Sequence, residues 1–242
     1  MFPLYDTIPS RSYPFVNYLL IFLNIVVFLF QMQLNELELD WFFHHFGLVP
    51  ARYTSEYFAM ETGLSPDNYW PFFTNMFLHG GGAHLIGNMW TLYIFGDNVE
   101  DRMGHVRYLF FYLLCGVIAS YTHFLINSHS TIPAVGASGA ISGVMGAYML
   151  LFPHSRIVFL LIIFFFIDFI QIPAFIYLLF WFAGQLFSGL VNLSIAALSP
   201  GESVGGIAFW AHIGGFVAGM LLYRIFLKKE KEYDDEYYEL IE

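Results

Sequence analysis

The sequence predicts an all-α polytopic membrane protein with six transmembrane helices, and three observations support this fold class. Hydrophobic residues make up 58% of the 242 residues and charged residues only 12%. Soluble domains carry about 25% charged residues. The mean hydropathy is +0.62, and several apolar segments reach the length of about 20 residues that a helix needs to cross a bilayer.

The net charge and the number of cysteines argue against several classes of function for this chain. The formal net charge of -10 argues against nucleic-acid binding. The single cysteine, Cys115, excludes an internal disulfide and a cysteine-rich metal site.

The apolar segments divide the chain in order. We expect a cytoplasmic N-terminus over residues 1–12, a membrane domain over residues 13–227 and an acidic cytoplasmic tail over residues 228–242. The prolines and aromatic side chains of residues 35–79 predict a loop that lies at the membrane interface. The predicted spans cover about residues 13–34, 82–99, 106–126, 135–152, 173–193 and 207–227.

Residues 157–172 are apolar enough for a seventh span, but we predict an interfacial or re-entrant segment. Asp168 would cost roughly 2.5 to 3.5 kcal/mol near a helix centre, and Gln171 and Pro173 follow it closely. Six spans place every Lys and Arg except Arg52 on the inner side. This distribution satisfies the positive-inside rule with both termini in the cytoplasm.

Polar residues that are unusual in lipid cluster at one depth. Ser138 lies in a Gly-Ala-Ser-Gly sequence that opens the fourth span, His84 and Asn88 begin the second, and His212 lies early in the sixth. These three spans all run from outside to inside, so we expect the four side chains to share the outer leaflet. A histidine can accept and return a proton near neutral pH, and it activates a serine hydroxyl within hydrogen-bond reach.

Glycines predict that the fourth and sixth spans touch. Gly215 and Gly219 lie on the same helical face as His212, and the fourth span carries a comparable glycine stripe that begins at Gly139. Small residues let helix backbones approach closely in membranes. We therefore expect Ser138 and His212 to meet at the outer ends of these spans.

The second span adds hydrogen-bond donors. His84 and Asn88 are four residues apart and share a helical face, so with the backbone N–H of Ser138 they would stabilise a developing oxyanion. Each polar residue taken alone also fits ordinary packing or an interhelical hydrogen bond. We assign that plainer role to Asn24, Asn192, His105 and His123.

These motifs resemble those of the rhomboid intramembrane serine proteases. Residues 136–139 match the family's GxSG motif, residues 84–88 match HxxxN, and residues 211–219 match AHxGGxxxG. The resemblance covers about residues 13–227 and implies a six-helix rhomboid-like bundle with a membrane-lying loop between helices 1 and 2. It also implies a structural role for the ExRxG stretch at residues 100–104 and a mobile fifth span that gates substrate entry.

The resemblance also implies the site. Ser138 would be the nucleophile and His212 the general base, while His84, Asn88 and the backbone N–H of Ser138 would form the oxyanion hole. Supporting positions are His79, Gly136, Gly139, Gly215 and Gly219.

One position departs from the family pattern. Ser142 stands where many relatives carry a Tyr or Phe that stacks on the catalytic histidine. We expect another aromatic residue, such as Trp210 or Phe209, to orient His212 instead.

The resemblance implies a serine endopeptidase that cuts transmembrane protein substrates near the outer leaflet of a bacterial inner membrane, without a metal or other cofactor. Its expected partners are these substrates and the lipid bilayer, not nucleic acid. Three alternatives stay open: an inactive rhomboid-like protein that binds membrane clients, a transporter or channel with a polar pore, and a metalloprotease. The last would use His79, His84 and His212, but the sequence lacks an HExxH motif.

Overall fold

The computed structural model describes residues 2–163, 166–198 and 208–229. The chain is mainly helical, as the sequence predicts. The long helices are α1 (Phe15–Gln31), α6 (Gly82–Met103), α7 (His105–Ile126), α8 (Ser138–Leu151), α9 (Ala174–Leu198) and α10 (Phe209–Phe226). Between α1 and α6 lie α2 (Glu36–Phe46), α3 (Ala51–Thr54), α4 (Glu56–Thr62), α5 (Pro71–Thr74) and a 3-10 turn (Asn75–Phe77).

Several of these helices are suited to a bilayer. Within the described residues, three are long and apolar enough to cross it, namely α7, α9 over Ala174–Ile195, and α10. Helices α1 and α8 are apolar but shorter, and α6 has 22 residues and carries acidic side chains in its last turns. The helices support an integral membrane protein.

Helices α8 and α10 form the centre of the bundle, where their backbones are almost in contact. A Cβ atom built on Gly219 would lie 1.9 Å from the carbonyl oxygen of Gly143, and one on Gly215 would lie 2.0 Å from that of Gly139. Neither position has room for a side chain. The structure therefore confirms the predicted contact between the fourth and sixth spans.

Glu100 joins α6 to α1. Its buried carboxylate accepts hydrogen bonds from the backbone N–H groups of Val16 at 2.9 Å and Asn17 at 2.7 Å. These groups belong to the first turn of α1, which no side chain of its N-cap residue satisfies. An anion at this position compensates unpaired N–H groups and the helix dipole.

The expectation of an all-α chain is wrong at two segments. Strands β1 (Phe2–Asp6), β2 (Arg156–Ile163) and β3 (Phe166–Pro173) form an antiparallel sheet in the order β1-β2-β3. Residues 157–172, predicted as an interfacial or re-entrant segment of a helical chain, are thus mostly a β-hairpin. Their many β-branched and aromatic residues favour strands, and Pro173 ends β3 where α9 begins.

Asp6 of strand β1 forms hydrogen bonds to residues of helices α6 and α8. One of its carboxylate oxygens accepts hydrogen bonds from the Asn98 amide at 2.9 Å and from the Tyr148 hydroxyl. Burial raises the pKa of the Asp6 carboxyl to about 6, and the hydrogen bond from Tyr148 partly opposes this shift. Strand β1 therefore lies at the end of α8 that is remote from Ser138.

Candidate active site

Ser138 and His212 lie in the first turns of α8 and α10, and the close packing of these helices brings them together. The Nε2 atom of His212 is 2.7 Å from the Oγ atom of Ser138. The two residues are 74 positions apart in the sequence. A serine hydroxyl at this distance from an imidazole nitrogen can transfer its proton directly.

The other side of the His212 ring faces α9. Its Nδ1 atom is 2.7 Å from the Oε1 atom of Gln185, and the ring centroid of Trp181 is 5.9 Å from that of His212. Neither residue was among the predicted site residues, and the prediction that Trp210 or Phe209 orients His212 is wrong. The sequence analysis did not use Gln185, although a glutamine within a predicted membrane span is a feature that could have indicated this contact.

Gly136 lies two residues before Ser138 and is in contact with the His84 side chain. Its φ of +136° lies in a region that side chains disfavour. A Cβ atom there would also lie 2.8 Å from Cε1 of His84. Glycine at this position therefore lets the chain turn into α8 and lets the His84 imidazole lie against the backbone just before Ser138.

Asn88 is oriented by His79. The Asn88 Nδ2 atom is 2.9 Å from Nε2 of His79. The Gln31 side chain fixes the His79 backbone, because its amide N–H donates to the His79 carbonyl oxygen and its Oε1 accepts from the His79 backbone N–H. Burial, with a smaller contribution from His84, lowers the pKa of His79 to about 3. A neutral His79 can accept from Asn88, which leaves the second amide N–H of Asn88 available to another acceptor.

A cavity of about 780 Å³ joins these residues. Ser138, His212, His84 and Asn88 all line it, so the structure brings the four predicted side chains to one site. His123 and Asn192, which the sequence analysis assigned to packing, line it as well. Across the described residues, no group of three or more His, Cys, Asp or Glu side chains lies close enough to hold a metal ion.

The fold and the site are those of a helical membrane protein in which a serine and a histidine are paired in a cavity between helices. Residues 66–229 match the family model of the rhomboid domain. The chain therefore belongs to the rhomboid family.

The chain is similar to several members of this family. It is 28% identical over 207 residues to rhomboid protease GluP of Bacillus subtilis, an alignment that covers 85% of this chain and 34% of that protein. It is 34% identical over 101 residues to the putative rhomboid protease YdcA of the same organism, with 39% of this chain and 48% of that protein covered.

A mitochondrial relative is also similar. The presenilin-associated rhomboid-like protein A of Danio rerio is 29% identical over 176 residues, which cover 71% of this chain and 42% of that protein. The chain thus spans between about a third and a half of the length of these three relatives.

Proposed function

We propose that this chain is an intramembrane serine endopeptidase that hydrolyses transmembrane protein substrates near the outer leaflet. The observation that carries the proposal is the 2.7 Å distance between His212 Nε2 and Ser138 Oγ, in a cavity shared with His84 and Asn88. Two of the relatives, rhomboid protease GluP and putative rhomboid protease YdcA, have names that agree with this activity.

The reaction proceeds in two steps. In the first, Ser138 Oγ attacks the substrate carbonyl and its proton passes to His212 Nε2, which returns it to the leaving amine as the peptide bond breaks. In the second, His212 takes a proton from water in the cavity, the resulting hydroxide attacks the acyl carbonyl, and His212 returns the proton to Ser138 Oγ as the acyl–oxygen bond breaks. His84, Asn88 and the Ser138 backbone N–H stabilise the oxyanion in both steps.

The substrate must be partly unwound at the cut. A transmembrane helix uses its carbonyl groups in internal hydrogen bonds, so a carbonyl is open to attack only where the helix is broken. Substrates with helix-breaking or small residues near the outer leaflet are therefore the favoured class.

We also propose that α1 and α6 to α10 cross a bacterial inner membrane as six spans. Both termini would then lie in the cytoplasm. The pairing of β1 with β2 supports this topology, because this pairing joins the N-terminus to the connection between α8 and α9. Those two segments lie on one side only if an even number of spans separates them. The sheet, with exposed Phe166 and Ile167 on β3, would then lie at the cytoplasmic face, and residues 35–79 at the outer face.

The experiment that tests the function uses purified protein in liposomes with a tagged transmembrane substrate. We expect a single cut near the outer leaflet that persists in the presence of a metal chelator. Inhibition by the chelator would favour the metalloprotease. Binding of the substrate without any cut would favour the inactive rhomboid-like protein.

Asn88→Ala should slow cleavage without preventing it. Removing one oxyanion donor is expected to lower kcat by about a hundredfold to a thousandfold, with little change in KM, because the donor acts on the transition state. Asn127→Ala is the matched control, since Asn127 lines the same cavity but bonds to His123. Equal kcat values for the Asn88→Ala variant and the unmodified protein would remove Asn88 from the oxyanion hole.

A further inference from the structure

The distance between Ser138 and His212 leaves one question of chemistry open, namely which ring nitrogen of His212 carries the proton. A neutral imidazole has one N–H and one acceptor nitrogen. If the proton is on Nδ1, Nε2 can accept the proton of Ser138. If it is on Nε2, the ring donates to the serine and cannot act as its base.

Gln185 faces the nitrogen that decides this. Its Oε1 atom is 2.7 Å from His212 Nδ1, and a carbonyl oxygen accepts hydrogen bonds but donates none. The contact is satisfied only when Nδ1 carries the proton. The lone pair of Nε2 then points to Ser138 Oγ, which is also 2.7 Å away.

Trp181 lies one helical turn before Gln185 and packs against the same ring. Its ring centroid is 5.9 Å from that of His212, with 33° between the two planes. Helix α9 thus supplies both a hydrogen-bond acceptor and an aromatic neighbour. Ser142 of α8 takes no part, because its hydroxyl donates to the carbonyl oxygen of Ser138 at 2.6 Å.

We propose that Gln185 is a positioning residue that holds His212 in the tautomer able to accept the proton of Ser138. This inference rests on the proposed function and extends it, because Gln185 acts on the reaction through His212. The side-chain carbonyl of Gln185 faces His212 Nδ1, and in serine proteases with a catalytic triad a carboxylate occupies this position. The orienting group comes from α9 and not from the glycine-packed helices that carry the pair.

The kinetic test compares two substitutions in the liposome cleavage assay. Gln185→Met keeps the length of the side chain but removes the acceptor. We expect it to lower kcat about tenfold, the effect of losing roughly one hydrogen bond, while KM stays nearly constant. Gln185→Glu restores an acceptor oxygen, and we expect it to recover most of the lost rate.

The controls separate positioning from folding. Gln33→Met makes the same chemical change at an exposed residue just after α1, whose side-chain amide donates to the Leu29 carbonyl oxygen, and it should leave kcat unchanged. An unchanged kcat in Gln185→Met would overturn the inference. Equal losses in the Met and Glu variants, together with a lower unfolding midpoint in both, would also overturn it by assigning Gln185 a purely structural role.

A second measurement does not depend on cleavage. Nitrogen-15 NMR of the imidazole rings distinguishes the two tautomers, and the His212 resonance is assigned by its absence in His212→Asn. We expect the Nδ1–H tautomer in the unmodified protein and a mixture of both in Gln185→Met. An Nε2–H ring in the unmodified protein, or no change in the variant, would overturn the inference. A protein with the expected spectra that cuts no substrate would instead refute the proposed function alone.

Discussion

Ser138→Ala and His212→Ala should each lower kcat/KM for a transmembrane substrate by about three orders of magnitude or more. Each substitution removes one member of a pair that acts together, and such losses in serine hydrolases are of this size or larger. The measurement is the rate of cleavage in liposomes, at substrate concentrations below KM.

One feature of this result is specific to a pair that acts as one unit. The double variant should be no slower than either single variant, because the effects of cooperating groups are not additive. Ser194→Ala is a control, since the Ser194 hydroxyl bonds to the carbonyl oxygen of Leu190 in its own helix, and it should keep the full rate. Cleavage at the unmodified rate in Ser138→Ala would disprove the serine mechanism.

Gly219→Ala should destabilise the bundle and reduce activity together. The added Cβ would lie 1.9 Å from the carbonyl oxygen of Gly143, and this backbone atom can move only if α8 and α10 separate. Overpacking of this kind costs typically about 1 to 3 kcal/mol in the free energy of unfolding. The same separation lengthens the distance between Ser138 and His212, so we expect a fall in kcat as well. The measurements are denaturant unfolding in detergent and the liposome assay.

Gly184→Ala is the matched control for this substitution. A Cβ atom on Gly184 of α9 meets nothing within 4 Å, and alanine favours a helix by up to about 1 kcal/mol over glycine. This variant should be as stable as the unmodified protein or slightly more so. If Gly219→Ala unfolded at the same denaturant concentration as Gly184→Ala, the close approach of α8 and α10 would be wrong.

The meeting of Ser138 and His212 could be predicted from the sequence, because it follows from two local patterns. The lengths of the apolar segments predict that both residues begin spans that run in the same direction. Glycines on one face of each span then predict a close contact between the helices that carry them. No long-range information is needed for either step.

The sheet could not be predicted in the same way. Residues 156–163 and 166–173 are mostly apolar, and the polar Asp168 and Gln171 fall on opposite faces of β3. The segment therefore shows no alternation that separates a strand from a buried helix. The third strand, residues 2–6, pairs with β2 across about 150 residues of sequence, and no local pattern reports such a pairing. The buried contacts of Asp6 with α6 and α8 depend on the same long-range arrangement.

The residues that surround His212 could be predicted from the sequence only in part. Trp181 and Gln185 are four residues apart and share a face of α9, which is visible in the sequence. Which helix that face meets depends on how α9 packs against α10, and the sequence does not specify it. Trp210 and Phe209 are close to His212 along the chain, but the structure places other residues beside its ring.

If His212 activates Ser138, as we propose, Ser138 should react with a serine-reactive fluorophosphonate. The probe forms a covalent bond to an activated serine hydroxyl and releases fluoride, and mass spectrometry of the digested protein locates the adduct. We expect one adduct on Ser138, and we expect its rate of formation to fall at least about a hundredfold in His212→Ala. Labelling of Ser138 at an equal rate in His212→Ala, or labelling of another serine only, would contradict the claim.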